Sequence, residues 1–220
     1  MGRRSQHTPE ELRELILTAT RRIVEERGFR ALSAREIARE IGYAPGTLYN
    51  MYENLDEILL RVEARVLKDL DDHIGKSLVD KKKNELPRAF AEAYIDFAFS
   101  HPRLWDLIQF HNPEIDKAVP EWYLDSVYAP MLRLEPILGD ALEISDADEL
   151  AGRARLLWSV IHGVVQIATT PKFGLVEKST TAWMIETAIS ECLRKQHAAK
   201  GRLRVEPDAT GATKRERRAN

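Results

Sequence analysis

The chain has 220 residues, 44 % of them hydrophobic and 31 % charged, and a formal net charge of −2. That length can bury a core in one large domain or two modest ones. No stretch approaches the roughly 18 consecutive apolar residues of a membrane span: the most apolar run, residues 158–168, is broken by His162, Gly163 and Gln166, and residues 1–7 lack the apolar segment of a signal peptide.

The pattern predicts an all-α chain, with no alternating β-branched run closed by Asn-Gly or Asp-Gly. Thr8-Pro9-Glu10-Glu11 opens the first helix as a capping box with proline at its first position. Leu12, Leu15, Ile16, Ala19 and Ile23 form its apolar stripe, and Gly28 ends it, predicted as a left-handed C-cap. A second box, Ser33-Ala34-Arg35-Glu36, opens a short helix carrying Ile37, Ala38 and Ile41 and ending at Gly42. Pro45 starts the next helix three residues later. A third box, Asn54-Leu55-Asp56-Glu57, opens a long helix lined by Leu55, Ile58, Leu59, Val62 and Val66. Further helices are predicted over 87–99, 102–110 and 122–138, the last kinked or ended by Pro130 and Pro136. Ser145-Asp146-Ala147-Asp148 caps a helix to about Thr169, residues 171–178 form a loop, and Ser179 caps a last helix to about His197. Residues 201–220 read as a disordered basic tail with a charge cluster at 214–218; a solvated terminus fits them better than a non-specific DNA contact.

Cys192 is the single cysteine, so no intrachain disulfide forms, which suits a reducing cytoplasm. It reads as a small apolar residue on a helix rather than a redox sensor. Charge is unevenly spread: residues 1–52 carry +2, residues 53–200 carry −7 and residues 201–220 carry +3. A basic head on an acidic body is what a single DNA-facing surface needs.

The densest signal lies in residues 33–52, two short helices joined by a glycine-bearing turn, the layout of a helix-turn-helix. Ala38 stands where the helices cross and must be small. Gly42 follows four residues on, at a turn where positive φ favours glycine. Leu48, ten residues after Ala38, plugs the second helix into a core with Ile37, Ile41 and Met51.

These residues resemble the TetR family of transcriptional regulators. The matching text runs from Gly28-Phe29 through Leu32-Ser33-Ala34-Arg35-Glu36-Ile37-Ala38 to Gly42. It continues through Tyr43, Pro45 and the tetrad Gly46-Thr47-Leu48-Tyr49 into Glu53-Asn54-Leu55-Asp56-Glu57. The specific likeness covers about the first 60 residues. Beyond it, Trp158 with His162-Gly163 is similar to the Trp…His-Gly signature of one TetR C-terminal subgroup. The resemblance implies a three-helix, homeodomain-like reading module over residues 1–53, then a helical-bundle domain for ligand binding and dimerisation over 54–200. It also implies that the second short helix enters the major groove, with Tyr43, Pro45, Gly46, Thr47, Tyr49 and Asn50 facing DNA. Hydroxyls at Thr47 and Tyr49 suit phosphates, and Asn50 suits a base edge. Ser33 and Arg35 open the preceding helix, whose amides can hold a phosphate, and Arg3 and Arg4 form a basic arm. Two departures stand out: Ala44 replaces the family's usual Ser or Thr, losing a cap and a phosphate contact, and Leu55 replaces a frequent Lys. Both weaken DNA binding and reduce its salt dependence. Tyr52 reads as a core aromatic.

One helix-turn-helix buries little DNA surface, so such proteins dimerise and read two half-sites. The last two helices supply the natural surface: Leu157, Val160, Ile161, Val164 and Ile167 on one, Met184, Ile185, Ile189 and Leu193 on the other. Those residues also suit packing within the chain; the family's four-helix arrangement serves both. The family further implies a cavity among the middle helices for a small, largely apolar effector, with Tyr94, Phe97, Trp105, Gln109, Phe110, Trp122, Tyr128 and His162 as candidate lining, in a cluster that also holds Phe99, Tyr123 and His111. Any single aromatic there is more often plain core.

Enzymatic chemistry has no support. His73, His101, His111 and His162 are scattered without metal-ligand spacing, and neither Gly-x-Ser-x-Gly nor a glycine-rich phosphate loop appears. No cofactor and no metal are expected. The expected protein is a cytoplasmic, homodimeric regulator binding a palindromic double-stranded DNA operator and released by its effector, with repression taken from the family's usual sense. Two alternatives stay open: a constitutive DNA-binding protein without inducer, and a helical scaffold that no longer reads DNA.

Overall fold

A computed structural model describes residues 7–113, 119–142, 144, 146–173 and 176–193. Arg3, Arg4, Ser145 and the tail over 201–220 lie outside the described residues. Ten α-helices and one 3-10 turn make up the described residues, which contain no strand.

Helix α1 (Pro9–Arg27) starts on the expected reciprocal box: Glu11 N donates to Thr8 Oγ1 at 3.2 Å and Thr8 N to Glu11 Oε2 at 2.8 Å. Of its apolar stripe Leu12, Ile16, Ala19 and Ile23 are buried and Leu15 is half-buried. Gly28 has φ 81° and ψ 163°, a positive φ as expected but extended rather than left-handed helical, in a region open essentially to glycine alone. Helix α2 (Ala34–Ile41) is capped by Ser33, whose Oγ accepts from Glu36 N at 3.3 Å. The box there is one-sided, because the Glu36 carboxylate turns to Arg27, 3.2 Å away. Helix α3 (Pro45–Tyr49) follows the turn. Helix α4 (Leu55–Ser77) begins on the Asn54 cap, with Glu57 N donating to Asn54 Oδ1 at 2.8 Å. At 1.5 Å per residue it is about 35 Å long, enough to run from the head through the body.

The body comprises α5 (Leu86–Ser100), α6 (Pro102–Phe110), α7 (Glu121–Leu132), α8 (Leu134–Leu142), α9 (Ala147–Thr169) and α10 (Lys178–Leu193). The segment expected over 122–138 is two helices broken at Arg133. A continuous helix would need an N–H from residue 136 for the Leu132 carbonyl, which Pro136 cannot give, so the break falls just before it. Pro130 sits in the last turn of α7, and Pro136 sits in the first turn of α8, where a missing N–H costs little. Asp146 caps α9 by accepting from Glu149 N at 2.8 Å. Helix α10 starts one residue before Ser179, so that serine lies inside its first turn rather than capping it.

Helix α4 packs on α5 and α7, α9 on α8 and α10, and α5 on α10. The head docks through α1, which packs on both α4 and α6. Buried side chains from Leu12 to Ile189 form one contiguous cluster across head and body. Polar ties reinforce the joint. Arg65 forks onto Glu14 at 2.8 and 2.6 Å, Arg30 reaches Asp106 at 3.0 Å, and Arg103 donates to the last carbonyls of α1, Glu25 O (2.8 Å) and Glu26 O. Cys192 is half-buried on α10, and burial pushes its thiol pKa up. Among the described residues no helix is long and apolar enough to cross a membrane.

Candidate nucleic-acid interface and effector cavity

The two short helices meet as the spacing requires. Ala38 is 1 % exposed at the crossing, Leu48 is fully buried, and Ile41 and Met51 pack against the same core. Gly42 adopts φ 75°, ψ 27°, and the turn closes with Tyr43 N donating to Ala38 O at 2.9 Å. A Cβ on Gly42 would meet nothing within 4 Å, so the backbone angle alone selects glycine there. At Gly46 not even that reason holds: φ is not positive, a Cβ would meet nothing within 4 Å, and the residue is exposed. Nothing among the described residues asks for glycine at 46.

Around Gly46 the predicted reading residues differ in exposure. Pro45, Tyr49 and Asn50 are exposed, Tyr49 to 52 %, and Thr47 and Tyr43 are half-buried. Ala44 occupies the N-cap of α3 without a side-chain cap bond. Leu55 packs against the core instead of pointing a charge outward. Tyr43 is more engaged than expected, since its hydroxyl and His7 Nδ1 lie 2.7 Å apart, holding His7 beside the turn that precedes α3. Ser33 is half-buried by its capping role, while Arg35 is exposed. Of the head arginines, Arg22 pairs with Glu40, Arg27 with Glu36 and Arg30 with Asp106. Arg35 and Arg39 are exposed and have no ion-pair partner among the described residues. Sequence reasoning missed Arg39; its four-residue spacing from Arg35 on one helix could have found it. Tyr52 is core as expected, 4 % exposed, donating to Arg13 O at 3.3 Å.

In the body a cavity of about 340 Å³ opens between α4, α5, α6, α7 and α9. Of the eight sequence candidates, Tyr94, Trp105, Gln109 and His162 line it. The other four do not. Phe97 is buried elsewhere, between the His73 and His101 rings. Phe110 lies over the Arg30 guanidinium at the joint with the head. Trp122 lies on the surface under Arg61, 4.9 Å from its ring centroid, and Tyr128 is 48 % exposed on the outer side of α7. The inner side of α7 is Tyr123, Leu124, Val127 and Pro130. Trp158, His111 and Asn112 complete the aromatic and polar lining.

Behind His111 and Tyr123 sits Glu63, 1 % exposed on α4. Tyr123 Oη donates to one of its carboxylate oxygens at 2.5 Å, and His111 Nδ1 lies 2.5 Å from the other. His111 Nε2 is 3.3 Å from Asp56. Burial pulls the imidazole pKa down, but the two carboxylates outweigh it and hold the pKa above its usual value. His111, at the end of α6, is thus clamped to α4 and meets Phe29 of the head edge-on at 6.2 Å.

The predicted dimer residues divide. Leu157, Ile161, Ile185 and Ile189 face inward and are at most 6 % exposed, so they hold the chain's own core. Val164 and Leu193 are half-buried against that core. Val160 is half-buried, and Ile167 and Met184 point outward. Leu156 (57 %) and Trp183 (68 %), absent from the sequence candidates, widen this apolar face.

Residues 16–62 match the family described as "Bacterial regulatory proteins, tetR family", and residues 88–189 match "Tetracyclin repressor-like, C-terminal domain". A relative from Bacillus subtilis strain 168, the uncharacterized HTH-type transcriptional regulator YobS, is 26 % identical over 101 residues, 45 % of this chain. The match spans about half of that relative's length, 53 %. Among solved structures, the TetR family transcriptional regulator PfmR from Thermus thermophilus shares the fold with TM-score 0.57 at 20 % identity, over 80 % of this chain and 97 % of that one. The transcriptional regulator FadR from Bacillus subtilis, in complex with stearoyl-CoA, does so with TM-score 0.63 at 15 % identity, over 80 % and 97 % of the two chains. With both halves matched and the helix-turn-helix built as the residues require, this chain belongs to the TetR family of bacterial transcriptional regulators.

Proposed function

We propose that the chain is a cytoplasmic, homodimeric repressor whose α3 enters the major groove of a two-fold symmetric operator and which leaves that operator when a small, largely apolar effector fills the cavity. The observation that carries the DNA-reading part is Gly46: an exposed glycine required by neither φ nor packing, set among Thr47, Tyr49 and Asn50. A missing side chain there lets an outside backbone come close. Arg35 and Arg39 on α2, exposed and outside the head's ion pairs, add phosphate-binding charge.

Dimerisation is supported by the outward apolar face of α9 and α10, where Leu156, Ile167, Trp183 and Met184 are 40–68 % exposed. Large apolar side chains clustered on one face mark an interaction surface. An effector is supported by the cavity, which disfavours the constitutive alternative, and by FadR, whose structure holds stearoyl-CoA. The route from cavity to head is short. Helix α6 supplies Trp105 and Gln109 to the wall, while Arg103 on the same helix grips the end of α1. An effector that shifts α6 therefore moves the head, and the spacing of the two heads in a dimer favours or disfavours the operator.

Selection from random duplexes followed by footprinting tests the reading. Two protected half-sites related by a two-fold axis are expected. A single half-site, or no enriched sequence, contradicts it.

A further inference from the structure

One end of the cavity is built around His162. On α9, Trp158 and His162 stand one turn apart and their rings stack, 4.9 Å between centroids at 18°. From α5 the Tyr94 hydroxyl reaches His162 Nδ1 at 2.7 Å. From α6 Trp105 meets Tyr94 edge-on at 5.4 Å and lies 6.0 Å from His162. All four side chains line the cavity.

The bond between Tyr94 and His162 fixes a tautomer. Tyr94 is 2 % exposed, and burial keeps its phenol protonated. Its hydroxyl has no hydrogen bond among the described residues except the one to His162. A buried donor without an acceptor costs about 1–3 kcal/mol, so the phenol donates and Nδ1 accepts. Burial also pulls the imidazole pKa down, which keeps the ring neutral at pH 7. A neutral ring accepting at Nδ1 carries its proton on Nε2, and that N–H has no protein acceptor among the described residues. The indole N–H of Trp105, a residue 2 % exposed, also lacks an acceptor, but that nitrogen is sealed from any guest. One wall thus offers a neutral imidazole donor and, among the described residues, nothing of the chain's own to receive it.

The rest of the lining sets the charge of the guest. No Lys, Arg, Asp or Glu side chain lines the cavity among the described residues, and His111 is already matched by Glu63 and Asp56. A carboxylate or an amine would be buried there without a counter-charge. Resting on the reading of the cavity as an effector site, we propose that its ligand is an uncharged, largely apolar carbonyl compound (a ketone, ester or lactone) whose oxygen accepts from His162 Nε2–H. The Trp…His-Gly motif then serves to position a donor, with Trp158 and Tyr94 holding one imidazole N–H toward the guest.

The test uses the intact dimer and a matched series: 2-undecanone, methyl decanoate, decanoate and decylamine. Uptake of N-phenyl-1-naphthylamine, an uncharged apolar dye, reports whether the cavity takes any guest. Displacement of the dye by each compound then ranks them in wild type, His162→Phe and Trp105→Phe, both of which keep a ring in place. The ketone and ester should displace the dye while acid and amine do not, and His162→Phe should weaken the ketone about tenfold while Trp105→Phe does not. If acid or amine binds as well, if His162→Phe does not matter, or if the dye enters and no carbonyl compound displaces it, the acceptor assignment falls and the cavity reading stands. If the dye does not enter, the cavity reading falls and takes the assignment with it. Should His162→Phe not fold, the wild-type imidazole ¹⁵N signals decide: the ketone must shift Nε2 without changing the tautomer, and an unmoved Nε2 refutes the contact.

Discussion

Gly42 and Gly46, four residues apart in the helix-turn-helix, allow folding and DNA reading to be separated by the same substitution. Gly42→Ala places a Cβ in open space but at φ 75°. The left-handed conformation costs an L-residue roughly 1–2 kcal/mol. Stiffening the unfolded chain returns about 0.4–1 kcal/mol of that. A net loss of about 1 kcal/mol lowers Tm by roughly 2–4 °C in a chain of this size. Gly46→Ala has the opposite sign. Its φ is not positive and its Cβ also meets nothing within 4 Å, so only the stiffening remains, a gain of about 0.4–1 kcal/mol. If α3 lies against DNA, that same methyl group stands between the helix and the duplex. Operator affinity should fall at least about fivefold, the equivalent of about 1 kcal/mol. Thermal unfolding at matched protein concentration gives the first pair of numbers, and fluorescence anisotropy on the selected duplex gives the second. A Gly46→Ala protein that is more stable and still binds as tightly as wild type would refute the close approach of DNA at 46.

Three further outcomes follow from the same geometry. Trp183→Glu combined with Ile167→Glu should convert a dimer into monomers of 25.2 kDa in sedimentation and abolish tight operator binding. Leu157→Ala, on the inward side, should instead cost about 2–5 kcal/mol of stability and leave association intact. Ala38→Leu overpacks the crossing of α2 and α3, costs about 1–3 kcal/mol, and should lose DNA binding while the body still takes up ligand. The two buried histidines should tilt the pH dependence in opposite directions. For His111 the folded pKa is raised above 6.5, so its stabilisation is full below about pH 6.5 and is lost as pH rises through the folded value. For His162 the folded pKa is lowered, so stability is lost as pH falls below about 6.5. Chemical denaturation between about pH 5 and 9 should show the alkaline limb flattened in His111→Gln and the acid limb flattened in His162→Phe; unchanged limbs would contradict the assignments.

The head was largely legible because its signals are local. The caps at Thr8, Ser33 and Asn54, the proline at 45, the glycine at 42 and the small residue at 38 each act within one or two turns of chain. Asp146 was legible for the same reason. The body was harder where a helix is apolar over a wide arc. On α9 the apolar arc from Leu156, Val160 and Ile167 round to Leu157 and Ile161 is wider than one buried face, and tertiary packing alone sends Leu157 and Ile161 to the core. On α7 the spacing 123, 124, 127, 130 marks an inner face, but residue type outweighed spacing and pointed to Trp122 and Tyr128, which stay outside. The buried Glu63 had no sequence signal beyond its place among the apolar positions of α4, between Val62 and Val66. Its partners, His111 and Tyr123, are 48 and 60 residues away in the chain.

If α3 reads DNA and a filled cavity releases it, one titration shows both. Anisotropy of the selected duplex is followed in rising salt, with wild type and Tyr49→Ala side by side and with the ketone absent or present. Tight, salt-sensitive binding that weakens with Tyr49→Ala and with ligand is the expected result. Binding that ignores the substitution, or a ligand that fills the cavity and leaves the complex intact, would contradict it.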